Sequence, residues 1–171
     1  MSFRAFSAPS RRIPDGVRFR NITEKDKRFL SLLYASTREQ EMELVNWTRE
    51  QKDSFLTMQF EAQHGFYMEQ FKKAEFLIIE KENEPVGRIY IDRREKEIRL
   101  IDIALLPTSR NQHLGTALLE EVLMEGQASL LPVSIHVEKN NPAMRLYLRL
   151  GFKPVEDQGV YDLMQWQPSL V

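Results

Sequence analysis

The chain has 171 residues, 42% of them hydrophobic, with 24 Lys and Arg against 25 Asp and Glu. That length suits one domain with a real core, and the composition excludes a disordered or membrane-embedded chain. A formal net charge of -1 gives no general drive toward nucleic acid or an anionic membrane, and the lack of cysteine excludes disulfides, thiolate metal sites and a cysteine nucleophile.

The opening "MSFRAFSAPSRRIP" has no apolar segment and is rich in Ser, Arg and Pro. Residues 1–15 read as a flexible tail, residues 16–171 as one domain, and a cytoplasmic location is the default. "GVRFRNI" alternates Val17 and Phe19 with polar residues and predicts a first strand. A helix follows, with Thr23 as N-cap and Phe29, Leu30, Leu33 and Tyr34 on one face. A long helical stretch then runs from about Thr48 to Ala74, rich in aromatics, with Gly65 as a point of division into two helices. It reads as a helix–core interface whose open face could wall a pocket.

"EFLIIEKENEPVGRIYIDR" is a hairpin signal, and "KEIRLIDIALL" is a third consecutive strand, apolar enough in its second half to be covered on both faces. Pro107 stops it. "TSRNQHLGTALLEEVLMEG" predicts a loop and an amphipathic helix ending at Gly126. "LPVSIHVE" alternates Val133, Ile135 and Val137 with Ser134, His136 and Glu138. "NNPAMRLYLRL" is a short helix closed by Gly151, and two strands finish the chain. The predicted fold is α/β: one mixed, mostly antiparallel sheet flanked by helices. The helix between strands 96–106 and 131–138 makes these two parallel neighbours.

A helix start after a buried strand collects free N–H groups and the positive end of the helix dipole, which suits an anion. In "RNQHLGTA" Arg110 adds a cation shaped for phosphate, and Gly115 permits close approach. The loop matches neither GxxxxGK[ST] nor GxGxxG, so nucleotide readings are weak. His64, His113 and His136 lack metal-ligand spacing, and no metal is expected.

Taken together, "IALLPTSRNQHLGTALLEEVL" and the later "VEKNNPAMRLYLRLGF" resemble the GNAT superfamily of acetyl-CoA-dependent N-acyltransferases over about residues 16–166. Its acyl-CoA loop has the form R/Q-x-x-G-x-G/A, and Leu146, Tyr147, Leu150, Gly151 and Phe152 match its second signature. The resemblance implies a splayed pair of central parallel strands. Ile103, Ala104 and Leu105 would offer backbone hydrogen bonds to the pantetheine arm. Arg110 and the amides of Asn111, Gln112, His113, Leu114, Gly115 and Thr116 would surround the pyrophosphate. Asn140 or Asn141 would bind the pantetheine, and Tyr147 would protonate the leaving thiolate. His113 stands where the family usually has its first glycine. A register starting at Gln112 restores Q-x-x-G-x-A, but the offset from Pro107 favours Arg110.

The implied reaction is acetyl transfer from acetyl-CoA, the acyl donor, to a primary amine of a small molecule, amino acid or peptide, by direct attack in a ternary complex. A lysine-like amine costs roughly 4–5 kcal/mol to deprotonate at neutral pH, an α-amino group only about 1 kcal/mol. A general base therefore matters most for alkyl amines. His136 is the first candidate and Glu138 a weaker one. On strand 96–106 the substrate-facing positions are expected to be Arg99 and Ile101, neither suited to be a base. His64 is a further residue that could touch substrate. The rival reading is a non-catalytic acyl-CoA-binding or protein-interaction module. Nucleic acid and membrane partners are disfavoured, and a homodimer is left open.

Overall fold

A computed structural model describes residues 3–170. Seven strands form one sheet: β1 Val17–Asn21, β2 Glu75–Lys81, β3 Glu84–Arg93, β4 Ile98–Leu105, β5 Val133–Glu138, β6 Lys153–Gln158 and β7 Tyr161–Trp166. Their spatial order is β1-β2-β3-β4-β5-β7-β6, and every pair is antiparallel except β4 with β5. The helices are α1 Lys27–Ser36, α2 Glu39–Glu43, α3 Arg49–Gln70, α4 Leu114–Ser129 and α5 Met144–Arg149. This is the mixed, mostly antiparallel sheet that the residue pattern predicts.

The two faces of the sheet bury different cores. On one, α4 and α5 pack Leu118, Val122 and Phe152 against Ile89, Leu100, Ile135 and Met164. On the other, α1 and α3 bury Leu30, Tyr34, Leu56 and Phe60 over Ile78. Residues 3–15 lie with the first core: Ala5 is 1% exposed, and its N–H donates to Glu125 Oε1 of α4 at 2.7 Å.

Two details differ from the residue pattern. The helix over 48–74 is continuous from Arg49 to Gln70, because Gly65 is solvent-facing and breaks no packing there. Its start is fixed by a capping box, in which Thr48 and Gln51 exchange side chain–backbone hydrogen bonds at 3.1 and 2.9 Å. Gly126 does not end α4, which runs on to Ser129. A Cβ at Gly126 would stand 2.9 Å from Leu131 O, Val133 and Trp166, so the glycine serves close helix–sheet packing. The helix ends instead on Leu130, with φ 54°.

β4 carries the feature that positions the site. It pairs with β3 as Tyr90↔Asp102 and then Ile91↔Leu100, leaving Ile101 as an extra residue. Such a bulge reverses the alternation of side chains along a strand. Ile98 and Leu100 face the α4 core before it, and Ile103 and Leu105 face that core after it. Asp102 and Ala104 therefore turn toward the α1–α3 face.

Candidate active site

Beyond the bulge, β4 and β5 part. Their parallel pairing covers only Ile98–Leu100 against Val133–Ile135. The register with β3 joins Leu106 N–H to Val86 C=O at 2.8 Å and pairs Ala104 with Arg88. Backbone groups alternate in direction along a strand. Those of Ala104 therefore serve β3, while the N–H and C=O of Ile103 and Leu105 face the gap toward β5. The expected backbone contacts thus separate into two residues that face the slot and one that does not.

α4 begins at the mouth of this slot. A 3-10 turn over Pro107–Ser109 follows β4, and Asn111 and His113 then take left-handed conformations with φ 60° and 62°. His113 thus occupies a backbone state that favours glycine and that histidine tolerates better than most residues. The N–H groups of Leu114, Gly115 and Thr116 have no acceptor within the helix, since Ala117 N–H is the first to reach back, to His113 C=O. A Cβ on Gly115 would meet only Leu105 Cδ1 at 3.9 Å, so protein packing does not demand a glycine there. The open space suits a ligand lying close to the backbone.

Arg110 is exposed, and its Nε donates to Leu105 C=O at 2.9 Å. Lys81, at the end of β2, donates to Gln112 Oε1 at 3.2 Å and brings a second cation to the loop. No local motif marks Lys81, because its place depends on strand pairing across the sheet.

Tyr147 of α5 is 4% exposed and packs edge-on against Phe152 at 5.7 Å. Burial, with a smaller effect from the Asp102 carboxylate, pushes its phenol well above the ordinary value, so it is protonated at neutral pH. The two asparagines separate. Asn141 Oδ1 accepts Ala143 N–H at 2.8 Å in a local turn, while Asn140 lines an open cleft.

That cleft, of about 570 Å³, is walled by Tyr34, Arg38, Glu41, Gln59 and Gln63 from the helical side and by Glu138, Lys139, Asn140, Val160 and Tyr161 from β5 and the β6–β7 turn. Behind Gln63 lies Arg88, 3% exposed, donating to Gln63 at 2.9 Å and to Asp102 at 2.6 Å while stacking on Tyr90 at 4.7 Å. Asp102 is the residue that reading the sequence misses. Strict alternation assigns this face to Arg99 and Ile101, and the bulge gives it to Asp102.

His136 is exposed and does not line the cleft. Its Nδ1 lies 3.3 Å from Arg99 Nη1. A guanidinium only donates, so Nδ1 accepts and the neutral ring carries its proton on Nε2. Burial of the ring, then the nearby Arg99 charge, lowers its pKa. His64 is on α3, 8% exposed and stacked on Phe60 at 5.4 Å, outside the cleft lining.

A slot of unpaired strand edge, a helix start bearing cations and a buried phenol thus stand beside an open polar cleft. Residues 38–152 match the model of the acetyltransferase (GNAT) family. The chain belongs to this family. No curated protein matches the chain by sequence. Among solved structures, PaiA N-acetyltransferase from Thermoplasma acidophilum in complex with coenzyme A superposes with a TM-score of 0.66 at 16% identity, covering 88% of this chain and 98% of that one. An acetyltransferase from Thermus thermophilus gives 0.64 at 16% identity, over 88% and 96% of the two chains. A GNAT acetyltransferase from Elizabethkingia anophelis with acetyl-CoA bound gives 0.55 at 15% identity, over 90% and 99%. At such identities the likeness is one of fold. Among the described residues no helix is long and apolar enough to cross a membrane.

Proposed function

We propose that this GNAT acetyltransferase is an N-acetyltransferase that moves an acetyl group from acetyl-CoA to a primary amine. The observation that carries the reading is the slot. Ile103 and the Leu105 N–H present strand-edge backbone groups unpaired by β5, beside a helix start where Arg110 already reaches the Leu105 carbonyl. Acetyl-CoA fits these residues. Ile103 and Leu105 would hold the pantetheine arm as an added strand, with Asn140 at its far side. The free amides of Leu114, Gly115 and Thr116, with Arg110 and Lys81, would hold the pyrophosphate. When bound, acetyl-CoA supplies a thioester carbonyl open to attack.

The Leu105 N–H stabilises negative charge developing on that carbonyl oxygen. Tyr147 donates a hydrogen bond to the departing thiolate. A phenol raised above its usual range is a weaker acid than a thiol of pKa about 8.5, so complete proton transfer is uphill. Donation without full transfer is enough, because a thiolate is a good leaving group. The acceptor enters through the polar cleft and must be neutral to react. Its proton passes to carboxylates or water there. His136 becomes the base only if Arg99 releases Nδ1.

Release of free thiol from acetyl-CoA in the presence of an amine panel tests the reading. Acetyl-CoA binding without thiol release from any amine would instead favour a non-catalytic binding module.

A further inference from the structure

The cleft carries information on the acceptor's charge. Two cations line it, and each is already paired with carboxylates: Arg38 with Glu41 and Glu138 at 2.9 Å each, and Lys139 with Asp157 at 2.5 Å and Asp162 at 3.7 Å. The two lining cations thus share four carboxylates, Glu41 and Glu138 in the cleft wall and Asp157 and Asp162 just outside it, an excess of two negative charges in this group. Arg38 Nε and, behind Gln63, Arg88 Nη1 are the guanidinium donors without a partner among the described residues, and both atoms are buried.

We infer that the acceptor is an alkylamine with a second positive charge, rather than a free amino acid. The inference rests on the transferase reading above and specifies its substrate class. An acceptor's carboxylate would find no uncommitted cation in the cleft and would meet Glu41 and Glu138. An acceptor's second ammonium would find both. Each ionised carboxylate has about four lone-pair sites, and one shared guanidinium leaves most of them open. Tyr161 Oη, 3.4 Å from Glu138 Oε1, closes the β6–β7 wall. Gln59 and Gln63 add uncharged amides between the two ends. The reacting amine must lose its proton, whereas the distant ammonium keeps its own and is held by charge.

The test is thiol release from acetyl-CoA by the full-length protein with three acceptors of matched length: butane-1,4-diamine, 1-butylamine and 4-aminobutanoate. The expected order of kcat/KM is diamine, then monoamine, then amino carboxylate, with about two- to fivefold between neighbours at low salt. Glu41→Gln, at an exposed helix position, should shrink the diamine-to-monoamine ratio. An amino carboxylate used as well as the diamine would overturn the inference and leave the transferase reading standing, as would a ratio untouched by Glu41→Gln. Thiol release from none of the three would overturn the inference, and thiol release from no amine of the wider panel, with acetyl-CoA still bound by calorimetry, would overturn the transferase reading as well.

Discussion

The donor slot and the acceptor cleft are built from different material. The slot is backbone: the free edges of Ile103 and Leu105, and the first amides of α4. The cleft is side chain: paired charges, phenols and amides contributed by α1, α2, α3, β5 and the β6–β7 turn. A backbone site can be set by a few residues of special conformation and holds a constant ligand. A side-chain site needs partners from distant segments and can change with the acceptor.

The contrast can be broken by substitution. The largest effect is expected for Arg88→Ala. It leaves Asp102 without its ion pair and should cost about 3 kcal/mol of stability in a urea unfolding titration. A loss below about 1 kcal/mol would show that Asp102 finds water instead. Tyr147→Phe should lower kcat roughly 10- to 100-fold with acetyl-CoA affinity nearly intact, since it removes a donor used only as charge develops. Equal losses of rate and affinity would mean that Tyr147 serves packing. Arg110→Ala should weaken acetyl-CoA binding about tenfold by calorimetry, one charge-assisted contact, without changing the order of acceptors. Unchanged affinity would remove Arg110 from the pyrophosphate site.

The smallest effect is on pH dependence. The folded pKa of His64 is lowered, by burial and then by the Lys27 charge, so its neutral form is favoured in the folded state. Its contribution is present above the unfolded value of about 6.5 and is lost as pH falls from there through the lowered folded value. Replacing His64 with Leu should flatten the fall in melting temperature between neutral and mildly acidic pH. The pH–rate profile of His136→Ala should keep the acidic limb of the parent, because Arg99 holds the Nδ1 lone pair. Loss of that limb would restore His136 as the base.

How much was legible in the sequence follows the same division. Pro107, Gly115 and the Leu146–Tyr147 ending lie within short stretches, and their local conformation is what matters, so the family and the succession of strands and helices along the chain could be read. Even His113 becomes intelligible once its φ of 62° is known. Asp102 was hidden because one extra residue, Ile101, reverses the side-chain alternation after it. Lys81 and Arg38 were hidden because their partners, Gln112 and Glu138, are remote in the chain. Gly126 was misread as a helix stop because its role depends on the proximity of Trp166 and Leu131.

The central claim is that β4 offers its own edge to the acyl donor, and amide hydrogen exchange with and without acetyl-CoA tests it most directly. Acetyl-CoA should slow exchange at Ile103 and Leu105, whose N–H groups face the slot, and leave Ala104, already bonded to β3, nearly unchanged. Binding of acetyl-CoA with no added protection at Ile103 and Leu105 would contradict it.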